Sequence, residues 1–149
     1  MQKLLTSVDR SNPLGRRDYA ILIMAAKLGL RVSDIINLTF DEIDWTKKTL
    51  SITQQKTGKL VELPLTEDVG WAIIDYLQHG RPESECIHVF IKHCAPYDGL
   101  NSNISKRLQK YQEVADIDVC PRYFERIGSI AVKSTSLEAH WLRRWHTKV

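Results

Sequence analysis

The chain has no apolar run long enough to cross a membrane. Its longest, Tyr19 to Ala26, is far short of the roughly 20 residues a spanning helix needs. The N-terminus, MQKLLTSVDRSNPLG, has no sustained apolar region of the kind a secretory signal requires. Cysteine is scarce and odd in number. Cys86, Cys94 and Cys120 make no disulfide framework. A cytoplasmic, reduced protein is therefore the expectation. Net charge is also small, at +3, so any nucleic-acid binding must come from a local patch. The charge is unevenly placed: residues 1–119 hold 15 basic and 16 acidic side chains, residues 120–149 hold 6 and 2. Cys86, His88, His93 and Cys94 lack the spacing of a zinc motif, and alternation along a buried strand explains Cys86 and His88 equally well. No metal site is expected. There is no internal repeat and no low-complexity segment. What remains is an ordinary globular composition, 43% hydrophobic and 26% charged, in 149 residues, enough for one domain with a real core.

The stretch from Asp18 to Leu65 organises the rest. From Tyr19 to Leu30 only Lys27 and Gly29 are neither apolar nor aromatic, the pattern of a helix buried on nearly all sides. Gly29 suits the left-handed position that ends it. Arg31 follows at once, and a charge beside a core element needs an anion or solvent. A structural ion pair with Asp34 or Glu42 would serve as well as a bound ligand. Ser33 reads as the cap of a second helix with Asp34 in its first turn, and Ile35, Ile36, Leu38 and Phe40 form its apolar side. Lys47 and Lys48 mark a turn. Leu50 and Ile52 then alternate with Thr49, Ser51 and Thr53, as in a half-buried strand. Lys56 to Lys59 form a second turn in which Gly58 supplies positive φ. Val61, Leu63 and Leu65 lie on one face of the returning strand. A basic hairpin tip near a lone arginine is a device for gripping phosphate.

Thr66 caps a further helix with Glu67 and Asp68 in its first turn. Val69, Ala72, Ile73, Tyr76 and Leu77 make its apolar stripe, and Gly80 and Pro82 stop it. The segment ECIHVFIKHCAPYDGL reads as a short apolar strand or extended piece and then a turn. Asn101 or Ser102 opens the next helix, with Ile104, Leu108, Tyr111 and Ala115 on one side and Lys106, Arg107 and Lys110 on the other. The fold class expected is α+β, mainly helical, with a small antiparallel sheet around residues 49–65 packed against helices.

GLRVSDIINL followed by DEIDWTKKTLSITQQKTGKLVELPL closely resembles the catalytic domain of the tyrosine recombinases, or phage integrases. The likeness is dense from about residue 14 to 117. It implies that Arg31 is the first catalytic arginine and Lys56 the hairpin lysine, with Lys59 a rival for that role and otherwise a DNA contact. It implies double-stranded DNA as partner, other recombinase subunits besides, and neither metal nor cofactor. In such enzymes arginines hold the non-bridging phosphate oxygens and a lysine protonates the leaving oxygen. Lys106, Arg107 and Lys110 become candidates for backbone contacts.

The family's second box is His-x-Leu-Arg-His, and His140-Trp141-Leu142-Arg143-Arg144 resembles it with arginine last. His140 and Arg143 are then candidate catalytic groups and Arg144 a DNA contact. The segment before the box, from Asp118, does not resemble the family. Residues 118–149 are either a divergent second box in a truncated catalytic domain or sequence foreign to it. The family's nucleophilic tyrosine follows the second box, but the last tyrosine here is Tyr123, so no nucleophile is assigned. The separate DNA-clamping domain that precedes the family's catalytic domain is not found. Two other readings stay open. Helix, glycine turn and capped helix also suit a helix-turn-helix transcription regulator, and the missing nucleophile suits an inactive remnant of a mobile element.

Overall fold

The computed structural model describes residues 2–101 and 103–114. The chain opens with α1 (Gln2–Thr6) and then α2 (Pro13–Leu28). Ahead of α2, Leu4 and Val8 are buried in the core. Asn12 caps α2 by accepting the Gly15 N–H at 2.7 Å, and Pro13 occupies the first turn, where no N–H is needed. The helix thus starts one and a half turns before its apolar run. Gly29 ends it at φ 65°, a conformation that favours glycine. Residues 20–25 of α2 are almost wholly buried, as a helix apolar on all sides must be.

Next comes α3 (Val32–Ile36), two residues earlier than Ser33 as a cap would place it. Arg31 takes the cap position instead, and its carbonyl accepts from the Asp34 and Ile35 N–H groups. A short 3-10 turn (Phe40–Glu42) follows, closed by a capping box between Thr39 and Glu42. Phe40 therefore leaves the face of α3 and is largely exposed, with the Arg81 guanidinium over its ring.

The sheet has three antiparallel strands in the order β1 (Ile43–Asp44), β2 (Thr49–Thr53) and β3 (Leu60–Pro64). Leu50 pairs with Leu63 and Ile52 with Val61, so the four side chains share one face. Leu50 and Ile52 are buried. Val61 and Leu63 are only half-buried, because β3 is an edge strand.

Helix α4 (Glu67–His79) packs along α2 and buries Val69, Ala72, Ile73 and Tyr76, while Leu77 stays half-buried. From Arg81 to Leu100 the chain forms no regular strand but bends back on itself, with isolated antiparallel bridges Thr39–His88 and Ile91–Gly99. Arg81 ties it together by donating to the carbonyls of Ser84, Cys86, His88 and Val89. Val89, Phe90 and Ile91 are fully buried, and Phe90 stacks on Tyr76 with ring centroids 5.5 Å apart. Helix α5 (Ile104–Val114) buries Ile104 and Leu108. No helix among the described residues is long and apolar enough to cross a membrane.

Candidate functional site

Arg31 stands at the junction of α2 and α3, where Gly29 and an extended residue 31 turn the chain. One guanidinium nitrogen, Nη1, is buried and makes no hydrogen bond among the described residues. The ion pairs that would have made it structural are not formed. Glu42 spends both oxygens locally, on the Thr39 cap and on the Thr53 N–H. Asp34 turns instead to the hairpin, where its Oδ1 accepts the Gln55 N–H at 3.0 Å. A buried guanidinium nitrogen without an acceptor is costly unless something supplies one. The helix-turn-helix reading fails here. Of the five residues of α3 only Ser33 is exposed, which leaves no surface to read bases.

The hairpin tip between β2 and β3 is rigid in its own right. Gln54 donates its N–H to Lys59 O at 2.9 Å, Gly58 donates to Gln54 O at 2.8 Å, and the Thr57 hydroxyl donates to Gln54 Oε1. Gly58 takes φ 64°, as a tight turn there requires. Lys56 and Lys59 both project into solvent. The Asp34–Gln55 bond therefore fixes the residue next to Lys56 onto the helix that Arg31 caps. Asp34 is buried, and its other oxygen, Oδ2, has no partner among the described residues. The single bond it makes is a charge-assisted one between elements that are 21 residues apart.

A second polar cluster lies where α5 meets α2. Asp18 is fully buried. Its Oδ1 accepts from Arg17 Nε and Nη2, at 3.0 and 2.9 Å. Its Oδ2 accepts from Arg107 Nε and from the Tyr111 hydroxyl, the latter at 3.0 Å. Burial, then the negative charge of Asp18, raise the Tyr111 phenol above its ordinary pKa, so it remains a donor. For Arg107 burial acts against the charge, but the hydrogen bond and charge of Asp18 outweigh it and hold the pKa above its ordinary value. His93 stacks on Tyr76 nearby, and its Nε2 is buried without a partner among the described residues. Burial first, and then the Arg17 charge, push the His93 pKa down, so the ring is neutral.

Of the candidates named from sequence, Arg31 and Lys56 are linked through Asp34, and Lys59 closes the same tip. Lys106 and Lys110 are exposed on α5. Arg107 does not belong to that free stripe, because Asp18 holds it. His140, Arg143 and Arg144 lie outside the described residues, as does Tyr123. Sequence reasoning missed the tether of Asp34 and the whole of the Asp18 cluster. The one available signal was Arg17-Asp18 standing against an otherwise apolar helix. Among the described residues no three His, Cys, Asp or Glu side chains are grouped as metal ligands would be. Cys86 Sγ touches His88 Nδ1 at 3.5 Å without a third partner of that kind.

Comparison with known proteins bears on the fold and the family. An integrase/recombinase of Sinorhizobium fredii, y4gC, is 41% identical over 110 residues, covering 71% of this chain and 57% of that protein. A second from the same organism, y4rA, is 43% identical over 100 residues, 67% of this chain but 24% of that one. Tyrosine recombinase XerD of Listeria innocua is 34% identical over 83 residues, 56% of this chain and 28% of the relative. The chain thus spans from about a quarter to just over half the length of these relatives. The crystal structure of XerA recombinase superposes with a TM-score of 0.67 at 20% identity, over 83% of this chain and 43% of that one. An integrase of the Tn1549 transposon, solved with circular-intermediate DNA, superposes with a TM-score of 0.56 at 15% identity, over 85% of this chain and 54% of that one. These superpositions establish the fold, helices around a small antiparallel sheet as in recombinase catalytic domains. The family model for phage integrases matches residues 1–148. With an arginine capping the helix after the core helix, a lysine hairpin tied to that helix, and this match over nearly all its length, the chain belongs to the phage integrase family.

Proposed function

We propose that this domain binds duplex DNA and carries part of the catalytic site of a site-specific tyrosine recombinase, with Arg31 and Lys56 gripping the scissile phosphate. The observation that carries the proposal is the tether. Asp34 Oδ1 holds the Gln55 N–H beside Lys56, while Arg31 on the same short helix keeps a buried nitrogen unpartnered. Arg31 would bind non-bridging phosphate oxygens, where a planar guanidinium grips better than an ammonium. Lys56 would protonate the leaving oxygen as strand cleavage proceeds. His140 and Arg143 are assigned to the same phosphate by their likeness to the family's second box. No tyrosine of these 149 residues is assigned as the attacking group, and further recombinase subunits would share the DNA. The Tn1549 integrase, a neighbour in fold, was solved bound to DNA, which supports a DNA partner here.

The test is a salt titration of binding to a fluorescently labelled duplex. Weak binding with little sequence preference is expected, falling steeply as salt rises because phosphate contacts release counterions. Arg31→Ala and Lys56→Ala should each flatten that dependence by about one unit of slope. No binding at about 50 mM salt would sink the proposal.

A further inference from the structure

Arg107 differs from the two lysines on the same helix. Lys106 and Lys110 are exposed point charges on flexible stems. The Arg107 guanidinium is anchored through Nε to the fully buried Asp18, yet its side chain remains 42% exposed. Apart from Asp18 and the neighbouring Tyr111 hydroxyl, the guanidinium has no hydrogen-bond partner among the described residues. A carboxylate on Nε fixes the plane of the guanidinium and leaves the paired Nη edge for a second oxyanion. Around Asp18 the charges do not cancel, since Arg17 and Arg107 face one carboxylate. The Tyr111 hydroxyl sits on the same oxygen as Arg107 and braces it. The cluster thus has an excess positive charge and a preset fork, the features that suit bidentate phosphate binding.

We infer that Asp18 and Arg107 form a second phosphate-gripping unit, distinct from Arg31 and the hairpin, in which Arg107 contacts a backbone phosphate of the bound duplex and Asp18 is its positioning residue. This rests on the proposal that DNA is the partner. It makes a prediction opposite in sign to simple electrostatics. Asp18→Asn removes a negative charge, which by itself should tighten binding to a polyanion. If Asp18 acts by aiming Arg107, the same change weakens binding.

The experiment measures duplex affinity against salt for the 149-residue chain, Asp18→Asn, Arg107→Ala, Arg107→Lys and the Asp18→Asn/Arg107→Ala double variant. Circular dichroism first establishes that each is folded. Arg107→Ala should lose several-fold in affinity and about one unit of salt slope. Asp18→Asn should weaken binding in the wild-type background and leave it unchanged or tighter in the Arg107→Ala background. Arg107→Lys should behave like Arg107→Ala, because the fork matters and not the charge alone. Tighter or unchanged binding by Asp18→Asn, or equal weakening in both backgrounds, would overturn the inference. Should Asp18→Asn fail to fold, Arg107→Lys decides, since wild-type affinity in that variant would also overturn it. A titration with inorganic phosphate, followed by NMR at the Arg107 side-chain N–H groups, separates this inference from the DNA proposal. Shifts there in a chain that ignores duplex DNA would fault the DNA reading alone. Absence of shifts would overturn the unit whatever the DNA result.

Discussion

Replacing Asp34 with alanine should loosen the lysine hairpin while leaving global stability nearly unchanged. The bond from the Gln55 N–H to Asp34 Oδ1 has a charged acceptor, and such bonds contribute about 1.5–3 kcal/mol. Its loss is offset in the global balance, because Asp34 also buries Oδ2 without a partner, at a cost of about 1–3 kcal/mol that alanine removes. Gln55 lies on an exposed turn, so its freed N–H finds water. The two terms are of similar size and opposite sign, so the unfolding midpoint should move by less than about 1 kcal/mol. Locally there is no such offset. Opening of the tip should become easier by the full 1.5–3 kcal/mol, between about tenfold and about a hundredfold in exchange protection at Gln55. Asp34→Asn keeps an acceptor of the same shape but a neutral one, and should fall between the two. Native-state hydrogen exchange resolved at Gln55 and Gly58 measures this, with α4 amides as the internal reference. Unchanged protection at Gln55 in folded Asp34→Ala would refute the tether. A global loss well above 1 kcal/mol would show that Asp34 supports the core instead.

Three further outcomes are expected. His93 has its pKa lowered in the folded state, so below about pH 6.5 the unfolded chain takes up a proton that the folded chain refuses. Stability should fall as the pH drops from there towards the folded value, with no contribution above, and His93→Gln should flatten that slope in urea melts at several pH values; identical slopes would refute it. On α4, Ile73 is fully buried and Leu77 half-buried, so Ile73→Ala should cost about 2–5 kcal/mol and Leu77→Ala about 1–2. Equal costs by chemical denaturation would contradict the helix face. Finally, the 149-residue chain should form no covalent adduct with DNA carrying a good leaving group at the scissile phosphate, because no tyrosine follows the stretch His140–Arg144 that resembles the family's second box; a shifted band on a denaturing gel that vanishes in Tyr123→Phe would make Tyr123 the nucleophile.

Much of this fold was legible because its signals are local. The apolar run of α2 with Gly29 behind it, the alternation of Leu50 and Ile52, the glycine of the hairpin tip and the stripe of α4 each lie within one element. Errors appeared where the partner is distant or the position is an edge. Ser33 seemed the natural cap, yet the backbone turns two residues earlier, and the Arg31 carbonyl takes the first bonds. Val61 and Leu63 alternate as core residues do, but β3 has no neighbour on its outer side. Leu4, Leu5 and Val8 are too few to show a period, so the burial of Leu4 and Val8 was not legible. The Asp18 contacts span 89 and 93 positions, and no spacing rule reaches that far.

The two buried carboxylates each place a cation at the surface of a chain with almost no net charge over its first 119 residues. An isolated buried carboxylate is costly, so each must be held by donors brought from elsewhere. Asp34 draws in the backbone beside Lys56, and Asp18 draws in Arg107 and Tyr111 of α5. In both cases the acid lies inside and the cation it places lies at the surface. Counting charges along the sequence weighs these two acids as if they repelled DNA. Their field is instead largely spent on groups within hydrogen-bond distance, while Lys56, Lys59, Lys106 and Lys110 face solvent. Neutralising Asp18 or Asp34 should therefore weaken a phosphate-binding surface that neutralising an exposed acid such as Asp41 or Glu85 would strengthen.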